Sequence, residues 1–238
     1  MKRAFTAVFL ASVFAVTGVA FGQENSFKVV GNTATTYNGG GIVCTAVIYG
    51  GPTSIGGNTI SGNKAGRHGG GISCGWPSSA AEITGNAITG NSSQGGGGVY
   101  TDGSAVICTL VNNVIAYNTS SGPGGGMLTE GPTAVTLTFE NNTVTGNTAT
   151  GPGGGLWLGG SSATVKNSIV WSNTVNSAPE IVTSNVIFTF RYNVIKGGRS
   201  GLSAGIGNII YWGAGNIDAD PIVMLQTELD FSPVSVRM

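Results

Sequence analysis

A run of glycines recurs five times in this chain at nearly constant spacing, and this repeat limits the fold more than any other feature. Each run leads into a short alternating segment, as in "GGGIVC", "GGGISC" and "GGGLWL". Successive runs are 30, 27, 28 and 29 residues apart. A fixed period of about 20–50 residues is typical of solenoids and other repeat architectures. The last glycines of the five runs are Gly41, Gly71, Gly98, Gly126 and Gly155.

A second motif, N-x-[IV]-x-x-N, recurs in phase with the glycine runs. Complete copies begin at Asn58, Asn86, Asn113 and Asn142, a stretched copy begins at Asn167, and an incomplete first copy contains Asn32. Asparagine adopts left-handed conformations and bonds to nearby backbone at turns. In a stack of turns we therefore expect the second asparagines of the motif to form a ladder of amides. A metal or sugar site built from asparagines is the functional alternative. The expected ladder consists of Asn63, Asn91, Asn118 and Asn147.

Each period contains three short segments that alternate apolar and polar residues, and none has helical periodicity. This pattern is typical of half-buried β-strands. A turn of three strands cannot bury its apolar face alone, so it stacks on the next turn. Stacked strands are parallel and about 4.8 Å apart, and parallel crossovers are right-handed. We predict an all-β fold, a single-stranded right-handed parallel β-helix of about six to eight turns with three strands per turn.

Glycine-rich loops also bind phosphate, but these runs do not fit that role. A phosphate loop needs a strand, a loop and a helix, and usually a lysine. No helical pattern follows any run, and four of the five runs have no nearby lysine. We therefore predict that the glycines are structural, because a sharp corner requires positive φ and close approach of backbones. Nucleotide binding is not expected.

The first 22 residues are predicted to be a signal peptide. Lys2 and Arg3 precede an apolar run, and Ala20 and Gly22 occupy the small-residue positions of a cleavage site. An uncleaved membrane anchor is the alternative, because the apolar run is long enough to span a bilayer marginally. No later stretch could span a bilayer. The sequence thus predicts a secreted, extracellular or cell-surface protein.

The mature chain is predicted to be one β-helix over residues 23–238, with repeats at 27–175 and an irregular closing segment at 176–238. Without Lys2 and Arg3 it has 8 basic and 10 acidic side chains, a net charge of −2. The basic residues form no patch, so nucleic acid is not expected as a partner.

The repeats "NTISGNKAGRHGGGISC" and "NTVTGNTATGPGGGLWL" resemble those of right-handed parallel β-helix repeat proteins. These are secreted or surface proteins of bacteria with the pectate-lyase-like fold. The repeats are also partly similar to the GGA[ILV] and FxxN repeats of chlamydial polymorphic outer-membrane proteins. The segments "NSIVWSNTVNSAPEI" and "GNIDADP" resemble the family's closing segment, so the resemblance covers about residues 27–232. Two departures stand out: few residues precede the first run, and "DFSPVSVRM" replaces the expected GSP-x-[IL]-D-x-G ending. Uncapped strand edges invite pairing, so self-association through the ends is expected.

The resemblance implies, for enzymes of this fold, lyases or hydrolases of acidic polysaccharides. A hydrolase needs two carboxyl groups at a defined distance. Asp102 and Glu130 each follow the last glycine of a run by four residues, so they should stack about 5 Å apart. No Lys, Arg or His occupies the equivalent place in the flanking turns, which favours two solvated side chains at a strand end. We predict no catalytic residues.

A calcium site is the only cofactor site that the sequence suggests. Asp218 and Asp220 share a face if "NIDADP" is extended, and Asn216 could join them as an oxygen ligand. A terminal turn with an Asx cap before Pro221 is the favoured interpretation. We therefore predict no cofactor, with Ca²⁺ as the open alternative.

A column of outward-facing side chains is the predicted binding surface. The middle residue of each strand after a glycine run should point outward, which stacks Tyr100, Leu128 and Trp157. Exposed aromatic rings in a line suit sugar rings or a partner protein. A column covered by a loop, such as the one with Trp76, is the alternative. The predicted function is an exported non-catalytic β-helix that presents a rigid surface to glycan or protein, as an adhesin-like or structural protein. The alternative is a polysaccharide lyase or glycoside hydrolase.

Three further features are interpreted as structural. Cys44 and Cys74 occupy the same repeat position, which favours stacked buried thiols, with a disulfide as the alternative. His68 in "KAGRHGG" is predicted to lie in a solvated loop. Two "TAT" segments, at 33–35 and 148–150, raise an ice-binding or crystal-binding face as a third function.

Overall fold

The chain winds into a solenoid of parallel strands. The computed structural model describes residues 5–7, 27–45, 53–75, 80–102, 107–131, 135–175, 180–184, 187–205 and 208–221. Within these ranges the strands form four sheets, and every pair of neighbouring strands is parallel. The prediction of three strands per turn is wrong, because a fourth strand of only two residues follows the second asparagine of each motif. A strand that short shows no alternation in sequence.

The first two sheets hold the asparagine motifs and the short strands that follow them; strands are numbered in chain order. Sheet 1 contains β1 (Phe5–Ala7), β2 (Phe27–Val30), β6 (Thr59–Ser61), β10 (Ala87–Thr89), β14 (Val114–Ala116), β18 (Thr143–Thr145), β22 (Ile169–Trp171) and β26 (Val194–Ile195). Sheet 2 contains β3 (Thr33–Ala34), β7 (Lys64–Ala65), β11 (Ser92–Ser93), β15 (Thr119–Ser120), β19 (Thr148–Ala149) and β23 (Thr174–Val175).

The other two sheets follow the glycine runs. Sheet 3 contains β4 (Ile42–Thr45), β8 (Ile72–Gly75), β12 (Val99–Asp102), β16 (Met127–Glu130), β20 (Leu156–Gly159), β24 (Ile181–Ser184) and β27 (Leu202–Ala204). Sheet 4 contains β5 (Thr53–Gly56), β9 (Ala80–Thr84), β13 (Ile107–Val111), β17 (Val135–Glu140), β21 (Ser161–Lys166), β25 (Ile187–Arg191) and β28 (Ile209–Trp212). A single 3₁₀ helix, Gly198–Gly201, precedes β27 in the described part of the chain.

About five turns are regular, in the sense that they contain both the glycine run and the asparagine motif. This regular part is somewhat shorter than the predicted six to eight turns, and the chain continues beyond it in the same sheets through β22–β28. The strands stack in step with the repeat: Val99 pairs with Ile72 on one side and with Met127 on the other. Each position of the repeat therefore lies above its own counterpart.

The core lies inside the coil and is filled by the residues that alternate inward. The inward positions predicted after the glycine runs, among them Val99, Met127 and Leu156, are fully buried. Cys44 pairs with Cys74 in register, and both are buried free thiols, as is Cys108. A hydrogen bond to Cys44 and burial together hold the pKa of Cys74 well above its ordinary value. Cys74 is therefore a protonated thiol, and the three cysteines serve as small core side chains.

A ladder of asparagine amides runs along the corner between sheets 1 and 2. Nδ2 of Asn91 donates to Oδ1 of Asn118 at 3.0 Å and to the carbonyl of Ile60 at 2.9 Å. The backbone N–H of Asn91 also donates to Oδ1 of Asn118, at 2.9 Å. Asn91 and Asn118 are fully buried, and their amide groups are thus paired. The same bonds connect Asn32, Asn63, Asn91, Asn118, Asn147 and Asn173.

A second ladder lies at the corner between sheets 4 and 1. The stretched motif copy at Asn167 is not stretched, because Ser168 takes the ladder position and its Oγ accepts the N–H of Asn142 at 3.1 Å. Asn167 instead lies just before the ladder, with a φ of 50°. The residue before every ladder position has positive φ, which explains the Gly-Asn and Asn-Asn pairs. The members are Asn58, Asn86, Asn113, Asn142, Ser168, Asn193 and Asn216.

Each glycine run contains one glycine that is needed for its positive φ and another that is needed because a side chain would not fit. Positive φ belongs to the third glycine from the end of the run, such as Gly124 with φ 67°. The last glycine is needed for space: a Cβ on Gly126 would lie 2.7 Å from the carbonyl oxygen of Gly155 and 3.1 Å from Nδ2 of Asn147. The ladder therefore excludes any side chain at this position.

Glu180 occupies the glycine position one turn later. It directly precedes Ile181, which pairs with Leu156, so it lies in the column of Gly155. Its carboxylate accepts the N–H of Asn173 at 3.1 Å and Nδ2 of the same residue at 2.7 Å. It thus replaces the next asparagine as the acceptor of the ladder. Burial raises the pKa of the Glu180 carboxyl, and the hydrogen bonds from Asn173 oppose that shift.

We expect Asn118→Ala to destabilise the protein by at least about 2 kcal/mol, because the two Asn91 donors that bond to Asn118 lose their acceptor in a buried site. Thr119→Ala is the matched control, since Thr119 is the exposed next residue; its expected cost is within about 0.5 kcal/mol. Urea denaturation measures both. Equal losses in the two variants would contradict a dominant role for the ladder.

Candidate functional site

The outer face of sheet 3 brings together the predicted binding column and the predicted acidic pair. Tyr100 pairs with Leu128, and Leu128 pairs with Trp157. Asp102 pairs with Glu130 in the same register. Because side chains alternate along a strand, the residues at 100 and 102 share one face, opposite the core residue between them.

Tyr100 and Leu128 are not exposed, and the prediction that they form an open aromatic column is wrong. Tyr100 is 4% exposed and Leu128 is 0% exposed. The corner segments fold back over them: the His68 ring stacks on Tyr100 with centroids 4.5 Å apart. A Cβ on Gly95 would lie 2.6 Å from both Leu128 Cδ2 and His68 Nδ1. Trp157 is only partly buried. Trp76, suggested as the covering residue, lies outside the described residues.

The two residues of the acidic pair are both partly buried on this face. Neighbouring parallel strands are about 4.8 Å apart, which sets the backbone separation of Asp102 and Glu130. Glycine occupies the same column on both sides of the pair, at Gly75 and Gly159. A Cβ on Gly75 would meet only ordinary contacts, the nearest at 3.6 Å.

The indole of Trp157 lies beside the acidic pair. Thr129 pairs with Leu158, so Gly159 is the neighbour of Glu130 in the next turn. The atoms nearest to a Cβ placed on Gly159 are Cζ3 and Cη2 of Trp157, so the indole extends across that glycine. An aromatic surface therefore adjoins Glu130 on one side, while the neighbouring position on the Asp102 side is a glycine, Gly75. We call Tyr100, Asp102, Glu130, Trp157 and His68 the sheet-3 site.

His68 is the residue of this site whose role the sequence did not predict. It is partly buried against Tyr100 and does not lie in a solvated loop. Burial lowers the pKa of His68 below its ordinary value, and Arg67 adds to this, while Glu130 and Asp102 oppose it. The imidazole is therefore neutral at pH 7, and its buried Nδ1 has no hydrogen-bond partner among the described residues. Burial and the two carboxylates also raise the pKa of Tyr100, so its hydroxyl stays protonated.

The residues suggested as calcium ligands have other hydrogen bonds. Oδ1 of Asn216 accepts the N–H and Nδ2 of Asn193, at 3.1 and 2.9 Å, as the last member of its ladder. Asp218 accepts the N–H of Gly197 at 2.9 Å, and both Asp218 and Asp220 are exposed. Among the described residues, no three His, Cys, Asp or Glu side chains are grouped to hold a metal ion. The absence of a cofactor stays a prediction, with Ca²⁺ as its alternative.

The repeats of this chain match those of a known protein family. A family model described as the right-handed beta helix region matches residues 12–170 and again residues 70–212. The chain belongs to the right-handed β-helix family. The resemblance to right-handed β-helix repeat proteins and the predicted right-handed parallel β-helix are thus confirmed, while the similarity to bacterial surface repeat proteins stays a prediction. A search of curated proteins and a search of solved structures each found no match. None of the helical structure in the described ranges has the length or apolar character needed to traverse a bilayer.

Threonines of this β-helix form a longer column than the "TAT" segments suggested. Thr33 and Thr148 lie in sheet 2, separated by three intervening strands. On the outer face of sheet 4, four consecutive turns place threonine in register, a pattern that the sequence analysis missed. This column consists of Thr109, Thr138, Thr164 and Thr189.

The chain has one histidine, so NMR can follow His68 without interference. We expect its pKa to lie below about 6.5, because burial disfavours the imidazolium. Glu130→Gln should lower that pKa further, since Glu130 stabilises the charged form. Glu82→Gln, on the outer face of sheet 4, is the control and should not shift it. A pKa at or above the ordinary value would contradict the buried, stacked position of His68.

Proposed function

We propose that this β-helix is an exported protein that binds carbohydrate, without catalysis, at the sheet-3 site. The observation that carries the proposal is the indole of Trp157 lying beside the Asp102–Glu130 pair. An aromatic ring offers an apolar surface to the C–H face of a sugar, and carboxylates accept hydrogen bonds from its hydroxyls. Export is supported by the predicted signal peptide at residues 1–22.

The rigidity of the site supports binding. Tyr100 is buried and stacked on the His68 ring, so the strand that carries Asp102 is held in place before a ligand arrives. A rigid site loses less conformational entropy on binding than a mobile one. The buried Tyr100 and Leu128 thus position the polar groups and do not contact the sugar themselves.

A glycan array followed by affinity measurement tests this proposal. We expect Trp157→Ala to weaken binding of the best glycan at least about tenfold, because the stacking surface is lost. Glu130→Gln should also weaken it, and this variant leaves the indole in place. Thr164→Ala, on the outer face of sheet 4, is the control and should bind normally. Glycan binding that neither site variant affects would place the binding surface elsewhere.

A retaining glycoside hydrolase is the second candidate, and the register of Asp102 with Glu130 favours it. Retaining enzymes hold their two carboxyl groups about 5–5.5 Å apart, close to the spacing of about 4.8 Å between parallel strands. In this reaction Asp102 would attack the anomeric carbon while Glu130 protonates the leaving oxygen. Water would then release the sugar from Asp102 with Glu130 as the base.

Product analysis separates the two candidates. If the protein is a retaining hydrolase, NMR of fresh product shows the anomeric configuration of the substrate. Asp102→Asn and Glu130→Gln should each then reduce turnover at least about a hundredfold. Binding without any product supports the non-catalytic function, and turnover that survives both variants would contradict catalysis by this pair.

A further inference from the structure

We infer that the glycan bound at the sheet-3 site contains amino sugars with free, protonated amino groups. This inference rests on the proposed function, because it names the ligand class of the same site. It departs from the acidic polysaccharides that the family resemblance implies.

The charge of the site favours a cation. Asp102 and Glu130 stand in register on this face, and Arg67 is the one basic side chain that acts on both His68 and Tyr100 among the described residues. With His68 neutral, these groups sum to a charge of −1. An acidic sugar would place its carboxylate against two others, which costs binding energy, whereas an ammonium group would form charge-assisted hydrogen bonds.

The neighbouring groups fit an amino sugar better than a simple cation. The indole of Trp157 adjoins Glu130, so a sugar ring stacked on it would place a ring substituent near that carboxylate. An ammonium group near the indole face gains a cation–π contribution as well. An amino sugar carries both an apolar ring face and an ammonium group.

A glycine lies on the opposite side of the pair. Gly75 leaves the position beside Asp102 without a side chain, and its φ is not in the left-handed region. A longer side chain at this position can therefore be introduced without backbone strain. Gly75→Leu would fill the space next to Asp102 and block a ligand there, which gives a variant that tests access without removing a charge.

Three hexasaccharides of equal length provide the test, measured by calorimetry: glucosamine, N-acetylglucosamine and galacturonate. The first should bind at least tenfold more tightly than the other two. The double variant Asp102→Asn, Glu130→Gln should remove that preference, and Gly75→Leu should weaken binding of the glucosamine hexamer at least tenfold. Thr164→Ala should change neither the preference for the glucosamine hexamer nor its affinity. Melting curves of all variants establish that they are folded.

The possible results separate the inference from the proposed function. Equal or tighter binding of the acetylated or acidic hexamer at this site would overturn the amino-sugar assignment and leave carbohydrate binding intact. Binding of no glycan on the array would overturn both. A hexalysine peptide is the last control: if it binds as tightly as the glucosamine hexamer and loses affinity in the same variants, the site recognises protein ammonium groups and the inference is wrong.

Discussion

The asparagine amide of one turn occupies the space beside the last glycine of the preceding turn, and the regular stacking of this β-helix depends on that contact. Asn147 and the backbone carbonyl of Gly155 together leave no space for a side chain on Gly126, and the Asn147 amide bonds at once to Asn118, Asn173 and a backbone carbonyl. Backbone bonds between parallel strands would form in several registers. The buried amide accepts only one, because any other leaves its donors unpaired.

Glu180 shows what occupies the glycine column where the asparagine ladder ends. Where no further asparagine follows, the glycine column can hold a side chain, and the carboxylate of Glu180 supplies the acceptor that the missing asparagine would have offered. Glycine and the asparagine amide therefore occur together in the regular turns, and the glutamate stands where the amide ladder ends. The sequence did not reveal this, because no glycine run precedes Glu180 to mark its place in the repeat.

Repeat spacing predicted the elements whose side chains alternate, and it failed where contacts depend on the path of a corner. Sheets 1, 3 and 4 and the Asp102–Glu130 register followed from positions in the repeat. Sheet 2 did not, because two residues cannot show a period. His68 reaches Tyr100 only because the corner that contains His68 folds back over sheet 3. Spacing along the chain contains no information about the path of that corner. The burial of Leu128 was missed for the same reason.

The ladder joins residues that are between 26 and 31 positions apart along the chain, yet every rung has nearly the same geometry. Each asparagine pair thus restores the register between two turns, whatever the length of chain that separates its two members. Insertions or deletions in a connection are absorbed within one turn and do not propagate. Whole turns can then be duplicated or lost during evolution while a surface site on one turn, such as the Asp102–Glu130 pair, keeps its alignment with the turns around it.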